Sequence, residues 1–146
     1  MGSAAFPGAP ADRPQWAAAL GVSREAIDLY AESDVLDLHI DSFIWHRIFG
    51  VPLAGPNGPG PLRGRFLGQV DLARAVQGGL TGATWVITTN PLRSAEDRAR
   101  AFVENLARLR RLLEAVPSVT LVCTAAEYRA ARAAGRHAAF IGVQGG

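Results

Sequence analysis

The sequence predicts an α/β fold built on a parallel sheet, and three observations lead there. Extended stretches recur along the chain as VLDLHIDSF at 35–43, GATWVITT at 82–89 and HAAFIGVQGG at 137–146. The segments between them carry helix caps and apolar residues spaced three and four apart. Strands that alternate with helices pair in parallel through right-handed crossovers. At 146 residues, 49% of them hydrophobic and 19% charged, the chain has the length and composition of one globular domain with a sizeable core.

Residues 1–11 are rich in Gly, Ala and Pro and are predicted to form a flexible tail. They hold neither the basic nor the apolar region of a signal peptide, so a cytoplasmic location is expected. Asp12 caps a short helix with Pro14 in its first turn, ending near Leu20 and Gly21. Ser23 caps a second, with Ile27, Tyr30 and Ala31 on one face, and residues 32–34 break it. After the first strand, residues 44–49 are helical or form an irregular wall. Residues 50–64 contain four prolines and five glycines and form no regular element. Two readings of this loop are open, a functional lid or rim and a plain insertion.

Asp71 caps a short helix through Val76, which Gly78 and Gly79 end. The second strand follows over 82–89. Ser94 with Asp97 predicts a capping box for a long helix whose Phe102, Leu106, Leu109, Leu113 and Val116 form an apolar stripe. Arg98, Glu104, Arg108, Arg111 and Glu114 lie on its other faces, as expected of a solvated outer helix. Pro117 stops it. Residues 119–123 are short and extended, Thr124 caps a helix to about Ala134, and Gly135 leads into the last strand, where Phe140, Gly142 and Gln144 share one side.

The chemistry-bearing residues gather in the first strand. Residues two apart point the same way, which puts Asp37, His39 and Asp41 on one face and Leu36, Leu38 and Ile40 on the other. Three inward ionisable groups are costly unless paired, and a bound cation removes that cost. A hydrogen-bonded pair at a solvated strand end is the competing reading.

All fifteen basic residues are Arg, spread among thirteen acids with a formal net charge of +2. With no basic run and no aromatic platform, no nucleic-acid partner is expected. No apolar stretch reaches membrane-spanning length. The single cysteine, Cys123, excludes an intrachain disulfide and reads as a small buried hydrophobe in VTLVCT.

Three motifs in order resemble the membrane (renal) dipeptidases, peptidase family M19, zinc hydrolases on a TIM-type barrel. DLHIDSF after a helix looks like the family's Asp-x-His-x-Asp first strand. GQVDLARAVQGGLTGATWVITT is similar to its Asp-Leu-Pro-Arg segment, double glycine and second strand, with Ala73 where proline is usual. AAFIGVQGG looks like its strand ending in Ile-Gly-Val-Glu-Gly-Gly. The resemblance implies that residues 1–146 form a single partial metallo-hydrolase domain, the N-terminal part (about three strands) of a (β/α)8 barrel. It implies metal ligands at His39, Asp41 and Gln144 with Asp37 behind them, one or two zinc ions, a dipeptide substrate cleaved by metal-activated water, and a homodimer in the full-length parent. Family members are more than twice as long and hold two further histidine ligands in later strands, so an N-terminal fragment inactive by itself is expected.

Gln144 stands where the family has a glutamate bridging two metal ions. A carboxamide offers one neutral oxygen and a nitrogen that donates, so weaker metal binding or a single ion is expected. Equally open is an amide bonded to Asp41 or nearby backbone, and with it a catalytically impaired relative. His46 lines a pocket or caps a helix, and His137 is structural, at the barrel's stable bottom face. A doubly wound ligand-binding domain with Gly145 and Gly146 opening a phosphate loop finds no glycine-rich fingerprint in support.

Overall fold

The computed structural model describes residues 12–55, 57, 68–90 and 92–144. The expected tail over 1–11, most of the glycine-proline loop and the glycines at 145 and 146 lie outside them. Two short helices come first, α1 (Arg13–Leu20) and α2 (Arg24–Glu32). Asp12 accepts from the Gln15 amide, Gly21 closes α1 at φ 66°, and Ser23 accepts from the Ala26 amide to begin α2. Ile27 and Ala31 are the buried face of α2, and the Tyr30 hydroxyl donates to the Gly78 carbonyl at 2.8 Å. This tie fastens the leading helices to the body of the fold.

Strand β1 (Leu36–Ile40), helices α3 (Ser42–Phe49) and α4 (Leu72–Gln77), strand β2 (Gly82–Thr88), helix α5 (Ala95–Glu114), strand β3 (Val119–Leu121), helix α6 (Ala125–Ala133) and strand β4 (His137–Gln144) complete the order. All four strands are parallel, as alternation of strands and helices predicts, and the sheet runs β1-β2-β4-β3. The short extended stretch expected at 119–123 is the three-residue β3, which lies outside β4 instead of between β2 and β4. Its neighbour β4 has eight residues and pairs with β2 over seven positions, Gly82 with Ala138 through to Thr88 with Gln144. The longer ladder takes the central place, and the short strand is left at the rim.

Adjacent residues of β4 point to opposite faces, and the core divides accordingly. Ala139 belongs with Trp85, Ile87, Leu72 and the Leu109 and Leu113 stripe of α5. Ala138 belongs with Val122 and with Tyr128 and Ala131 of α6. Tyr128 stacks on Phe140 and shares a 2.9 Å hydrogen bond with Thr81, at the beginning of β2. The close seams require glycine. A Cβ on Gly142 would stand 2.7 Å from the Thr84 methyl, and one on Gly82 3.0 Å from the Ala138 carbonyl.

Three sequence expectations are corrected. The register of β1 against β2 shifts between Asp37 and Ile40, so the even alternation assumed for this strand is broken. Ile40 is buried, yet Leu38 is 76% and Leu36 38% exposed, because β1 pairs with β2 alone among the described residues. Cys123 is exposed. Strand β3 ends at Leu121, and the Cys123 amide already belongs to the start of α6, donating to Glu127 at 2.7 Å. At α5, Ser94 accepts from the Asp97 amide, but its hydroxyl donates to the Asp97 carboxylate, so the expected reciprocal box does not form there. The reciprocal box is at α6, between Thr124 and Glu127. Two backbone amides, of Cys123 and Thr124, hold the Glu127 carboxyl below the usual carboxylate range.

Candidate functional site

The carboxyl ends of β1, β2 and β4 lie side by side, and the side chains singled out from the sequence stand there. His39 Nε2 is 3.1 Å from Asp41 Oδ2. The other oxygen, Oδ1, accepts from the Thr88 hydroxyl at 3.1 Å. Asp37 turns back on its own strand, and its Oδ1 accepts from the His39 amide at 2.9 Å. A cavity of about 210 Å³ is bordered by Asp37, His39 and Asp41, with Trp45 of α3 and Gln69 on its other walls.

Asp41 is unusual among the helix caps of this chain. Asp12, Ser23, Asp71, Ser94 and Thr124 each accept a hydrogen bond from the first turn of the helix they precede. Asp41 precedes α3 at φ −89°, ψ 5° and makes no such bond. Its backbone aims the carboxylate away from the helix, toward His39 and Thr88. A residue type that would ordinarily cap a helix is committed to the sheet end instead.

What the pair can do chemically follows from its spacing and exposure. His39 and Asp41 are 51% and 46% exposed at their side chains, and a contact so wet contributes little to stability. A zinc ion holds nitrogen and oxygen at roughly 2.0–2.2 Å, which places two tetrahedral donors about 3.4 Å apart. The observed 3.1 Å is an ordinary hydrogen-bond separation, a few tenths of an ångström short of that spacing, and both side chains are of the type that zinc takes. Among the described residues no group of three or more His, Cys, Asp and Glu gathers to complete a ligand set.

Gln144 ends β4 in register with Thr88, at the same edge of the sheet. Two strand spacings, about 10 Å, separate it from β1, and Thr88 of the intervening strand is the residue bonded to Asp41. The Gln144 backbone oxygen accepts from the Thr89 hydroxyl at 3.5 Å. Of the other histidines, His46 donates through Nδ1 to the Val51 carbonyl at 2.9 Å and stacks on Phe43, closing the end of α3. His137 is fully buried at the beginning of β4, the opposite end of the sheet, which is the structural position expected for it.

Sequence reasoning missed two contributors. Strand patterning assigns Thr88 to β2 and nothing more, although a polar residue ending the apolar run WVI at a strand's carboxyl end is a usable signal. The sequence marks Asp71 as a helix cap alone. It is fully buried, and its Oδ2 also accepts from the Asn57 amide at 2.9 Å, while Arg74 donates to the carbonyls of Asn57 and Gly68 at 2.5 and 2.6 Å. Together they hold Asn57 of the glycine-proline segment and Gly68, next to Gln69 of the cavity wall.

Among the described residues no helix is long and apolar enough to cross a membrane. No curated protein matches the chain. The profile of the membrane dipeptidase family (peptidase family M19) matches residues 23–146, a span that holds every strand of the sheet and the whole His39–Asp41–Thr88 cluster. On that match the chain belongs to the membrane dipeptidase family.

Proposed function

We propose that this chain carries the first-strand metal pair of a zinc-dependent dipeptidase that hydrolyses the amide bond of dipeptides. The observation that carries the reading is Asp41, which leaves α3 uncapped and faces His39 at 3.1 Å within a family match covering its surroundings. His39 and Asp41 would hold the ion, which when bound supplies a water of lowered pKa and polarises the scissile carbonyl. The Thr88 hydroxyl fixes the rotation of the Asp41 carboxylate, and such outer partners orient ligands. Asp37 fixes the strand backbone at His39 and with it the origin of the imidazole. Two donors fall short of the three protein ligands usual at a catalytic zinc. Together with the open side of β1, this supports a complete site assembled with later strands of a (β/α)8 barrel, and a cytoplasmic setting accords with the reading.

The test is zinc titration by calorimetry of the wild type, His39→Ala and Asp41→Asn, beside dipeptide hydrolysis assayed on the same samples. Binding of about one ion that either substitution weakens at least tenfold is expected. Zinc binding unchanged in both variants overturns the reading.

A second reading, a relative impaired in catalysis, is favoured by Gln144, which brings no charge to the sheet edge where a bridging carboxylate is expected. Gln144→Glu separates the two. A rise in zinc stoichiometry with hydrolysis appearing only in the variant supports the impaired relative, and turnover by the unaltered protein rules it out.

A further inference from the structure

A second hollow, of about 410 Å³, is walled by Arg47, Arg93, Arg98 and Arg108 with Asn90 and Asn105. Four arginines line it in a chain whose formal net charge is only +2. Glu104 is the acidic residue in the wall, and none of the four arginines forms an ion pair with it or with any other carboxylate among the described residues.

The contrast within α5 is direct. Arg100 pairs with Asp97 and Arg110 with Glu114, at spacings of three and four. Arg98 and Arg108, on the same helix but lining the hollow, have no such partner among the described residues. Arg47 is the most enclosed of the four. Its Nε is buried without a hydrogen-bond acceptor among the described residues, and its guanidinium stands 5.8 Å over the Phe43 ring. Burial, followed by the charges of Arg93 and Arg108, pushes its pKa below the usual arginine value. Like charges around a concave surface, with a buried donor among them, are the chemistry that suits an anion.

We propose that this hollow binds the phosphate group of a small molecule, either inorganic phosphate or a phosphate on a compact organic body. Guanidinium forks match the tetrahedral oxyanion in bidentate fashion, and the Asn90 and Asn105 amides add neutral donors at the rim. With four cations against one carboxylate, the wall favours a dianion over the single carboxylate of a peptide end. The volume exceeds that of a bare phosphate and falls within the range of small-ligand pockets. Among the described residues no aromatic side chain lines it, so they offer no stacking surface of the kind a nucleic-acid channel uses. The site is independent of the metal reading, since no residue lines both cavities.

The probes are inorganic phosphate and a sugar monophosphate, titrated calorimetrically into the 146-residue chain at constant ionic strength. Saturable one-to-one binding is expected, weakened about tenfold by Arg93→Gln and by Arg108→Gln, as loss of one charged hydrogen-bond donor implies. Both residues are exposed, so neither variant endangers the fold. Arg100→Gln, outside the hollow, is expected to bind as the wild type does. Tighter binding of the sugar monophosphate identifies an organic phosphate as the occupant, and equal binding identifies the free ion. No saturable binding, equal weakening by Arg100→Gln, or binding of a single-stranded oligonucleotide without binding of either phosphate overturns the proposal.

Discussion

The indole N–H of Trp85 donates to Nε2 of His137 at 3.2 Å, while Nδ1 of the same ring donates to the Leu80 carbonyl at 2.9 Å. One nitrogen accepts and the other donates, so the buried imidazole is the neutral Nδ1–H tautomer. Burial pushes its pKa below the ordinary histidine value, and the bond to Leu80 offsets only part of that. A proton on Nε2 would also face the indole donor. In the unfolded chain the ring titrates near its ordinary value of about 6.5. Below that pH the unfolded state binds a proton that the folded state refuses, so stability falls as the pH drops and levels off above it. Urea midpoints measured across this range are expected to show the slope. His137→Leu is expected to cost about 1–3 kcal/mol by stranding the Trp85 N–H and to flatten the profile. An unchanged slope in the variant refutes the assignment.

Thr88 is expected to matter for metal and not for folding. Thr88→Val keeps the shape of a β-strand residue and removes the donor to Asp41. Zinc affinity should drop roughly ten- to a hundredfold, the range seen for outer partners of metal ligands, with the thermal midpoint little altered. Competition with a chromophoric chelator reads the affinity. A variant that binds as the wild type does would leave Thr88 with no part in orienting Asp41.

Gly142→Ala should destabilise by about 1–3 kcal/mol, as overpacking does. The added carbon would meet the Thr84 methyl at 2.7 Å, between two central strands that cannot separate without breaking their ladder. Thr84→Ser removes that methyl, so the double variant should recover most of the loss. A double-mutant cycle in urea measures the coupling, and strict additivity would show that the strain lies elsewhere.

Asp71→Ala is expected to cost more than an ordinary cap. The carboxylate is fully buried and serves the Arg74 and Asn57 amides together. Leaving both amides and the Arg74 guanidinium without it should cost at least about 2 kcal/mol, against about 1 for the exposed cap Ser23→Ala. Chemical denaturation of the two variants side by side decides this.

Elements governed by near neighbours were legible in the sequence. The caps Asp12, Ser23, Asp71, Ser94 and Thr124, the stops at Gly21 and Gly78, and the Leu109–Leu113 stripe all depend on residues within one or two turns. Strand order was not legible, because periodicity says that β3 is extended and nothing about which neighbour it will find. The irregular register of β1 was hidden for the same reason, since a shift is a property of two strands. At the site, the strand pattern put His39 and Asp41 within reach of each other but could not show that Thr88, 47 residues from Asp41, would hold the carboxylate. The arginine hollow was invisible because Arg47 and Arg108 meet only once α3 and α5 are placed on the sheet. Along α5 alone, its charges look like any solvated helix face.

The outer side of β1, where Leu38 stands in water and the backbone has no strand beside it among the described residues, bears on how the protein behaves in the tube. Open amides and carbonyls accept any extended peptide that arrives, so self-association should rise with concentration. Light scattering over a dilution series, with a charged replacement such as Leu38→Arg for comparison, belongs ahead of any binding isotherm.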